Sequence, residues 1–172
     1  SYSLFYGGRT YDLILDWCDA DGAVIQREYV TVERELSDSF TAAYVGNYKY
    51  ETLADAVEAA EVGDTVTLWK DTITEDVIIP EGADITLNLN THTITNRSGH
   101  TITNYGTLTV TGNGIVDNTT HGNAALVNYG IAELNGGTFD RSHENGATST
   151  DNGGNSYYTI QNFGTLTIND GV

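Results

Sequence analysis

Between residues 104 and 164 the chain carries the box Asn-aromatic-Gly three times, each followed by a short β-prone run that closes on Gly or Asp-Gly. Asn104-Tyr105-Gly106 leads Thr107 to Gly112, Asn128-Tyr129-Gly130 leads Ile131 to Gly137, and Asn162-Phe163-Gly164 leads Thr165 to Gly171. A unit that recurs at such a period stacks on itself, because one copy alone has no partner for its apolar side. Gly63, Gly82, Gly106, Gly130 and Gly164 are separated by 19, 24, 24 and 34 residues. A coil of about 20–25 residues fits three short strands per turn of a parallel β-helix. The final interval needs about ten residues more, and the polar stretch from Ser142 to Ser156 supplies them as a loop projecting from one face.

Strand side chains alternate between faces, so Ile102, Leu108, Val110, Leu134, Leu166 and Ile168 are predicted to point inward and the intervening Thr residues outward. An antiparallel sandwich would need two-residue turns between adjacent runs. The boxes sit instead at full-coil spacing, which gives an all-β fold with about five coils. Residues 47–63 hold the one predicted helix. Thr52 is its N-cap, Asp55 completes a short capping box, and Leu53, Ala56, Val57 and Ala60 form one apolar face. Gly63 follows as the left-handed C-terminal residue. A solenoid needs its open end covered, and this helix has the size to do it. Residues 1–46 read as a small β-module: a strand over Tyr11–Trp17, a turn at Asp19–Gly22, a strand from Val24 to Glu33, and a third from Phe40 to Val45. The parallel β-helix then occupies 64–172.

The chain has 172 residues, with 24 acidic against 7 basic and a formal net charge of −17. Such a surface repels nucleic acid and anionic membranes, which argues against both as partners. No run of about 18 apolar residues is present, so no membrane-inserted helix is expected. A composition rich in Gly, Asn and Thr with few Lys points to an extracellular β-protein. The single Cys18 forms no internal disulfide. The chain opens at Ser1 and lacks Met, as an excised piece of a longer protein would. It stops early in a coil, so further coils of the parent chain or another copy are expected to cover that end. Asn96-Arg97-Ser98 and Asn118-Thr119-Thr120 match the glycosylation tripeptide, a pattern that Asn- and Thr-rich coils generate by composition.

Tyr50-Glu51-Thr52-Leu53, Ala56-Val57, Ala59-Ala60 and Gly63-Asp64-Thr65-Val66-Thr67-Leu68-Trp69-Lys70-Asp71 resemble the opening of parallel β-helix segments in large secreted or wall-anchored bacterial proteins. Ile85 to Asn96 resembles the next element of those segments, and the Asn-x-Gly-Thr-Leu-Thr-Ile boxes resemble their later coils. The resemblance spans roughly residues 46–172 and implies the right-handed, pectin-lyase-like fold. It also implies a cell-surface or cell-wall-anchored location, with roles as adhesin stalk or glycan-facing module. Those segments usually read Asp-Leu-Asn-Gly-His, where this chain has Asn88-Leu89-Asn90-Thr91-His92.

Several constellations are candidates for chemistry. Asn104, Asn128 and Asn162 would stack at about 4.8 Å between coils, bonding along the axis and tolerating a left-handed corner. Tyr105, Tyr129 and Phe163 would stack beside them, either as a protective ladder or as a platform for sugar rings, with Tyr157 and Tyr158 extending it. Asp117 and Asp140 lie 23 residues apart, each after the last apolar residue of a strand. Carboxylates about 5 Å apart suit a retaining glycosidase and wider pairs an inverting one; the structural reading is two turn-forming aspartates. A lyase would want a basic group in a groove, and Arg97 and Arg141 are the only basic side chains, His aside, after Lys70. His100, His121 and His143 recur at 21 and 22 residues and are weak candidates for a transition-metal site. Asp16, Asp19 and Asp21 crowd oxygens into one turn as a calcium candidate, without a full EF-hand loop. Recurrent Thr-x-Thr pairs would build an ice-binding face, but Ala132-Glu133 interrupts the array.

The function expected is a non-enzymatic surface module, an adhesin, stalk or glycan-binding β-helix, with no obligate cofactor. The alternative is a carbohydrate-active β-helix enzyme that uses Asp117 and Asp140.

Overall fold

Alternation of apolar and polar residues sets the whole architecture, and it does so in register. The computed structural model describes residues 9–34, 36–144 and 158–172. Its first two strands, β1 (Arg9–Cys18) and β2 (Val24–Arg34), form an antiparallel hairpin with Gly22 at φ 85° in the turn. Next come β3 (Ala43–Val45), β4 (Tyr48–Tyr50) and the helix α1 (Leu53–Ala59). The first coil is β5 (Thr65–Leu68), β6 (Thr72–Thr74) and β7 (Val77–Ile79). The second is β8 (Asp84–Asn88), β9 (Thr93–Asn96) and β10 (Ile102–Asn104). The third is β11 (Thr107–Thr111), β12 (Ile115–Asn118) and β13 (Leu126–Asn128). The fourth is β14 (Ile131–Leu134), β15 (Thr138–Asp140) and β16 (Ile160–Asn162), and β17 (Thr165–Ile168) opens a fifth.

Each strand pairs in parallel with its counterpart one coil away, so the coils stack into three sheets and the fold is a parallel β-solenoid. The core is a set of columns along the axis. Val66, Leu87, Val110, Leu134 and Ile168 lie one above another, as do Ile73, Ile94, Val116 and Phe139, and Val77, Ile102, Leu126 and Ile160. Ile102, Leu108, Val110 and Leu134 are fully buried, as the alternation predicts. Leu166 is only half-buried and Ile168 is 55% exposed, because no described coil lies beyond them. Not every Thr faces water: Thr95, Thr101 and Thr103 are buried, and Thr101 donates its hydroxyl to the Asp117 carbonyl at 2.6 Å.

The N-terminal end departs from the sequence pattern in an instructive way. The third strand predicted at 40–45 does not join β1 and β2. Instead β3 pairs antiparallel with β4 and with β5, because Ala42, Ala43 and Val45 are apolar residues of the solenoid core. Tyr48–Tyr50 is strand and not helix; Val45-Gly46-Asn47-Tyr48 turns the hairpin, with Gly46 at φ 57°. The helix is therefore shorter than residues 47–63. Thr52 caps it by accepting from the Asp55 amide at 3.0 Å, and Leu53, Ala56 and Val57 are its buried face. Gly63 has the expected left-handed φ of 88°, but it lies beyond the C-cap Ala60, in a turn closed by the Asp64 amide on the Glu61 carbonyl. The two free amides at the helix start, on Leu53 and Ala54, donate to the Glu75 carboxylate at 3.1 and 3.0 Å. That ties α1 to the first coil, against which it packs together with β3 and β4. Among the described residues no helix is long and apolar enough to cross a membrane.

Candidate functional site

The corner between the strands β10, β13, β16 and the strands that follow them is where the repeated box lies, and each of its three residues has a separate physical job. The asparagine faces the interior. Asn104 and Asn128 are fully buried, so every polar atom of their amides needs a partner. Asn104 Oδ1 accepts from the Gly106 amide at 3.1 Å, and Asn104 Nδ2 donates to Asn128 Oδ1 at 2.7 Å and the Ile131 carbonyl at 2.9 Å. Asn128 Nδ2 repeats the pattern on Asn162 Oδ1 at 2.7 Å and the Thr165 carbonyl at 2.9 Å. Bonding along the axis is as the residue type predicts. The left-handed corner is not: among described non-glycine residues only Asn90 has a positive φ, 55°. Asn90 thus takes the left-handed conformation in the turn after β8. The boxed asparagines are selected by their donors and acceptors.

The glycine is required by close approach. A Cβ on Gly106 would lie 2.6 Å from the carbonyl oxygens of Pro80 and Ala83, and one on Gly130 would collide with the Gly106 carbonyl. The aromatic residue turns outward. Tyr105 and Tyr129 stack with centroids 5.1 Å apart and planes within 6°, and Tyr129 and Phe163 with centroids 5.0 Å apart and planes within 9°. The rings are about half exposed, yet among the described residues Tyr129 has a ring on each side and Tyr105 and Phe163 on one side only. The ladder therefore presents ring edges and two phenol hydroxyls along its length, with Tyr105 and Phe163 as its two end rungs. Sugar stacking uses an open face, so the middle rung, Tyr129, is the least suited to it. Tyr158 is exposed; Tyr157 lies outside the described residues.

Asp117 and Asp140 occupy one register position on β12 and β15, as their spacing predicts. Both oxygens of Asp117 and Oδ1 of Asp140 are engaged in local structure. Asp117 accepts from the Ser142 amide at 2.8 Å and the Ser142 hydroxyl at 2.6 Å, and Asp140 accepts from the Arg141 amide at 2.8 Å. Arg141 is buried and donates to the carbonyls of Asn123 and His121, so it ties down the segment 121–123. This is the geometry of turns being fastened to one another.

The three histidines do not form one stack. His121 and His143 are neighbours, with ring centroids 6.3 Å apart, whereas His100 Nδ1 accepts from the Ala124 amide at 3.0 Å. Burial pushes the His100 imidazole below its ordinary value, and the nearby Asp76 opposes that shift. Among the described residues no group of three or more His, Cys, Asp or Glu side chains could hold a metal ion. Two of the calcium candidates, Asp16 and Asp19, have carboxylate oxygens engaged within the hairpin, and Asp21 joins through its backbone amide. Asp16 forms a forked pair with Arg27 at 2.6 and 2.7 Å, and that hydrogen bond holds its carboxyl below the usual range. Asp19 Oδ1 accepts the amides of Asp21 and Ala23 and so shapes the turn. The outward Thr columns are interrupted in register, with Glu133 between Thr109 and Thr167, and Ile131 between Thr107 and Thr165.

A second asparagine position was hidden inside the two glycosylation tripeptides. Asn96 and Asn118 are in register on β9 and β12 and both are buried. Asn96 Oδ1 accepts from the Ser98 amide and Asn118 Oδ1 from the Thr120 amide, while their Nδ2 groups bond the carbonyls of His100 and Gly99. Their 22-residue spacing was the available signal. The class these features define is a parallel β-solenoid laced by axial side-chain ladders. No protein family matches the chain, and no curated protein or solved structure is similar enough to count as a match.

Proposed function

We propose that this chain is a non-enzymatic β-solenoid module of a bacterial cell-surface protein, which spaces or presents a binding face toward a glycan or host surface. The observation that carries this reading is the use of its polar side chains. The buried asparagines bond from coil to coil, and both candidate catalytic aspartates accept hydrogen bonds from the turn that follows β15. A general acid or nucleophile needs an oxygen free to meet substrate, whereas a stiff spacer needs this kind of lacing. The binding face favoured is the exposed aromatic corner, with the exposed ring of Phe163, the hydroxyls of Tyr105 and Tyr129, and Tyr158 nearest the last coil in sequence.

The competing enzyme reading draws on the shared register of Asp117 and Asp140. One set of assays separates the two. The chain is incubated with a panel of polysaccharides and reducing ends are measured, and it is then applied to a glycan array. The proposal expects no sugar release, binding that survives Asp117→Asn with Asp140→Asn, and binding that weakens with Phe163→Ala and Tyr158→Ala. Sugar release abolished by the double aspartate variant would replace it with the enzyme. An array without signal would reduce the module to a spacer.

A further inference from the structure

A groove opens where the hairpin of β3 and β4 meets the C-terminal end of α1. Its volume is about 280 Å³, which admits one side chain or one small molecule. Val45, Tyr48 and Tyr50 line it from the hairpin. They share one side of that hairpin because Val45 pairs with Tyr48, and Tyr50 follows at the next inward position of the strand. Tyr50 is buried and Tyr48 half exposed, so this wall runs from the core out to water. Ala59, the last residue of α1, adds an apolar lining, and Glu61 and Asp64 bring two carboxylates.

The turn that carries the two acids is fastened to itself. The Asp64 amide donates to the Glu61 carbonyl at 3.0 Å, and the Glu61 amide donates to Asp64 Oδ2 at 2.9 Å. Asp64 Oδ1 and the Glu61 carboxylate have no hydrogen-bond or ion-pair partner among the described residues. Lys49, on the other side of β4, is paired with Asp38 at 2.7 Å. Apolar and aromatic walls beside two unpaired carboxylates are complementary to one kind of group. A methylene stem covers the walls while the charged N–H donors at its tip meet the oxygens. Tyrosine rings add their own attraction for a cation. We propose that this groove binds an aliphatic ammonium group, presented by a free amine or by a lysine side chain of a partner. An anion is repelled there. The site is separate from the aromatic corner and does not depend on it.

The test is an NMR titration of the intact chain with n-butylammonium, Nα-acetyl-lysine methylamide, n-butanol and butyrate. An ammonium probe is expected to give saturable shifts confined to the amides of Gly46, Tyr48 and residues 61–64. Butyrate should give none, and butanol should bind at least about fivefold more weakly. Raising the salt from about 20 to about 200 mM should weaken ammonium binding about threefold or more. Glu61→Gln combined with Asp64→Asn keeps an acceptor for the residue 61 amide and should weaken it at least about tenfold. Glu58→Gln removes an exposed charge outside the groove. It should change the affinity by less than about twofold, which separates the groove from the field of the whole chain. Tyr48→Leu, at a half-exposed wall position, should cost several-fold and keeps the test decisive if the double variant loses its fold. A lysine derivative that binds at least as tightly as butylammonium makes a partner's lysine the occupant; shifts with butylammonium alone make it a free amine. No saturable shift with either, equal binding of butanol, or affinity unaltered in a folded double variant would overturn the proposal.

Discussion

Replacing Asn104 by Asp alters the ladder with almost no change in shape. The wild-type Nδ2 donates to three acceptors, the carbonyl of Gly106 at 3.2 Å, Asn128 Oδ1 at 2.7 Å and the carbonyl of Ile131 at 2.9 Å. A carboxylate there turns all three contacts repulsive, in a position with no exposure to water. Each lost hydrogen bond costs about 1 kcal/mol, and burying an acceptor against acceptors adds about 1–3 kcal/mol. The expected loss at neutral pH is therefore roughly 4–6 kcal/mol, or at roughly 2–4 °C per kcal/mol a fall of about 8–24 °C in Tm. Burial among oxygens raises the carboxyl pKa, so the folded variant binds its proton more readily than the unfolded chain does. Its stability should then improve as pH falls, since the protonated acid can donate one bond again. Urea unfolding at pH 7 and pH 4.5, alongside wild type and Asn104→Ala, measures this. Asn104→Ala removes the same bonds but buries no charge, and should lie between the two. A variant within about 0.5 kcal/mol of wild type at pH 7, or one without a pH response relative to wild type, would refute the claim that the ladder holds the coils together.

Gly130→Ala sets a Cβ against the Gly106 carbonyl, so the chain should lose several kcal/mol or fail to express folded, read by circular dichroism and urea midpoint. Leu87→Ala empties a fully buried column position between Val66 and Val110 and should destabilise by about 2–5 kcal/mol in the same assay. His100 is neutral when its Nδ1 accepts from the Ala124 amide, and its folded pKa lies below the unfolded value of 6.5. The contribution is thus complete above pH 6.5 and declines as pH falls from there to the folded pKa. The protection factor of the Ala124 amide, its exchange corrected for the intrinsic pH dependence, should fall over that window, and His100→Phe should remove the dependence.

The coil period, the inward columns and the axial stacking of both box residues were legible because spacing and alternation are local facts that a solenoid turns directly into contacts. The fate of Ala42 to Tyr50 was not. Those residues pair according to which edge needs covering, and that depends on the finished stack more than on their own propensity. The same limit applies to function. Spacing places Asp117 opposite Asp140, but only the fold reveals that Ser142 takes both oxygens of Asp117. The aromatic repeat predicts stacking; that stacking turns the interior ring faces toward one another and leaves mainly edges outside is a matter of ring orientation.

The carboxylate that receives the first amides of α1 comes from Glu75, 22 and 21 residues downstream of the Leu53 and Ala54 amides it accepts. The lid of this solenoid can therefore lock only after the turn between β6 and β7 exists. During synthesis the helix leaves the ribosome before its clasp does, and an isolated peptide of residues 43–63 should remain largely unstructured. Glu75→Gln would loosen the lid while leaving the distant coils near Val110 as well protected from exchange as before.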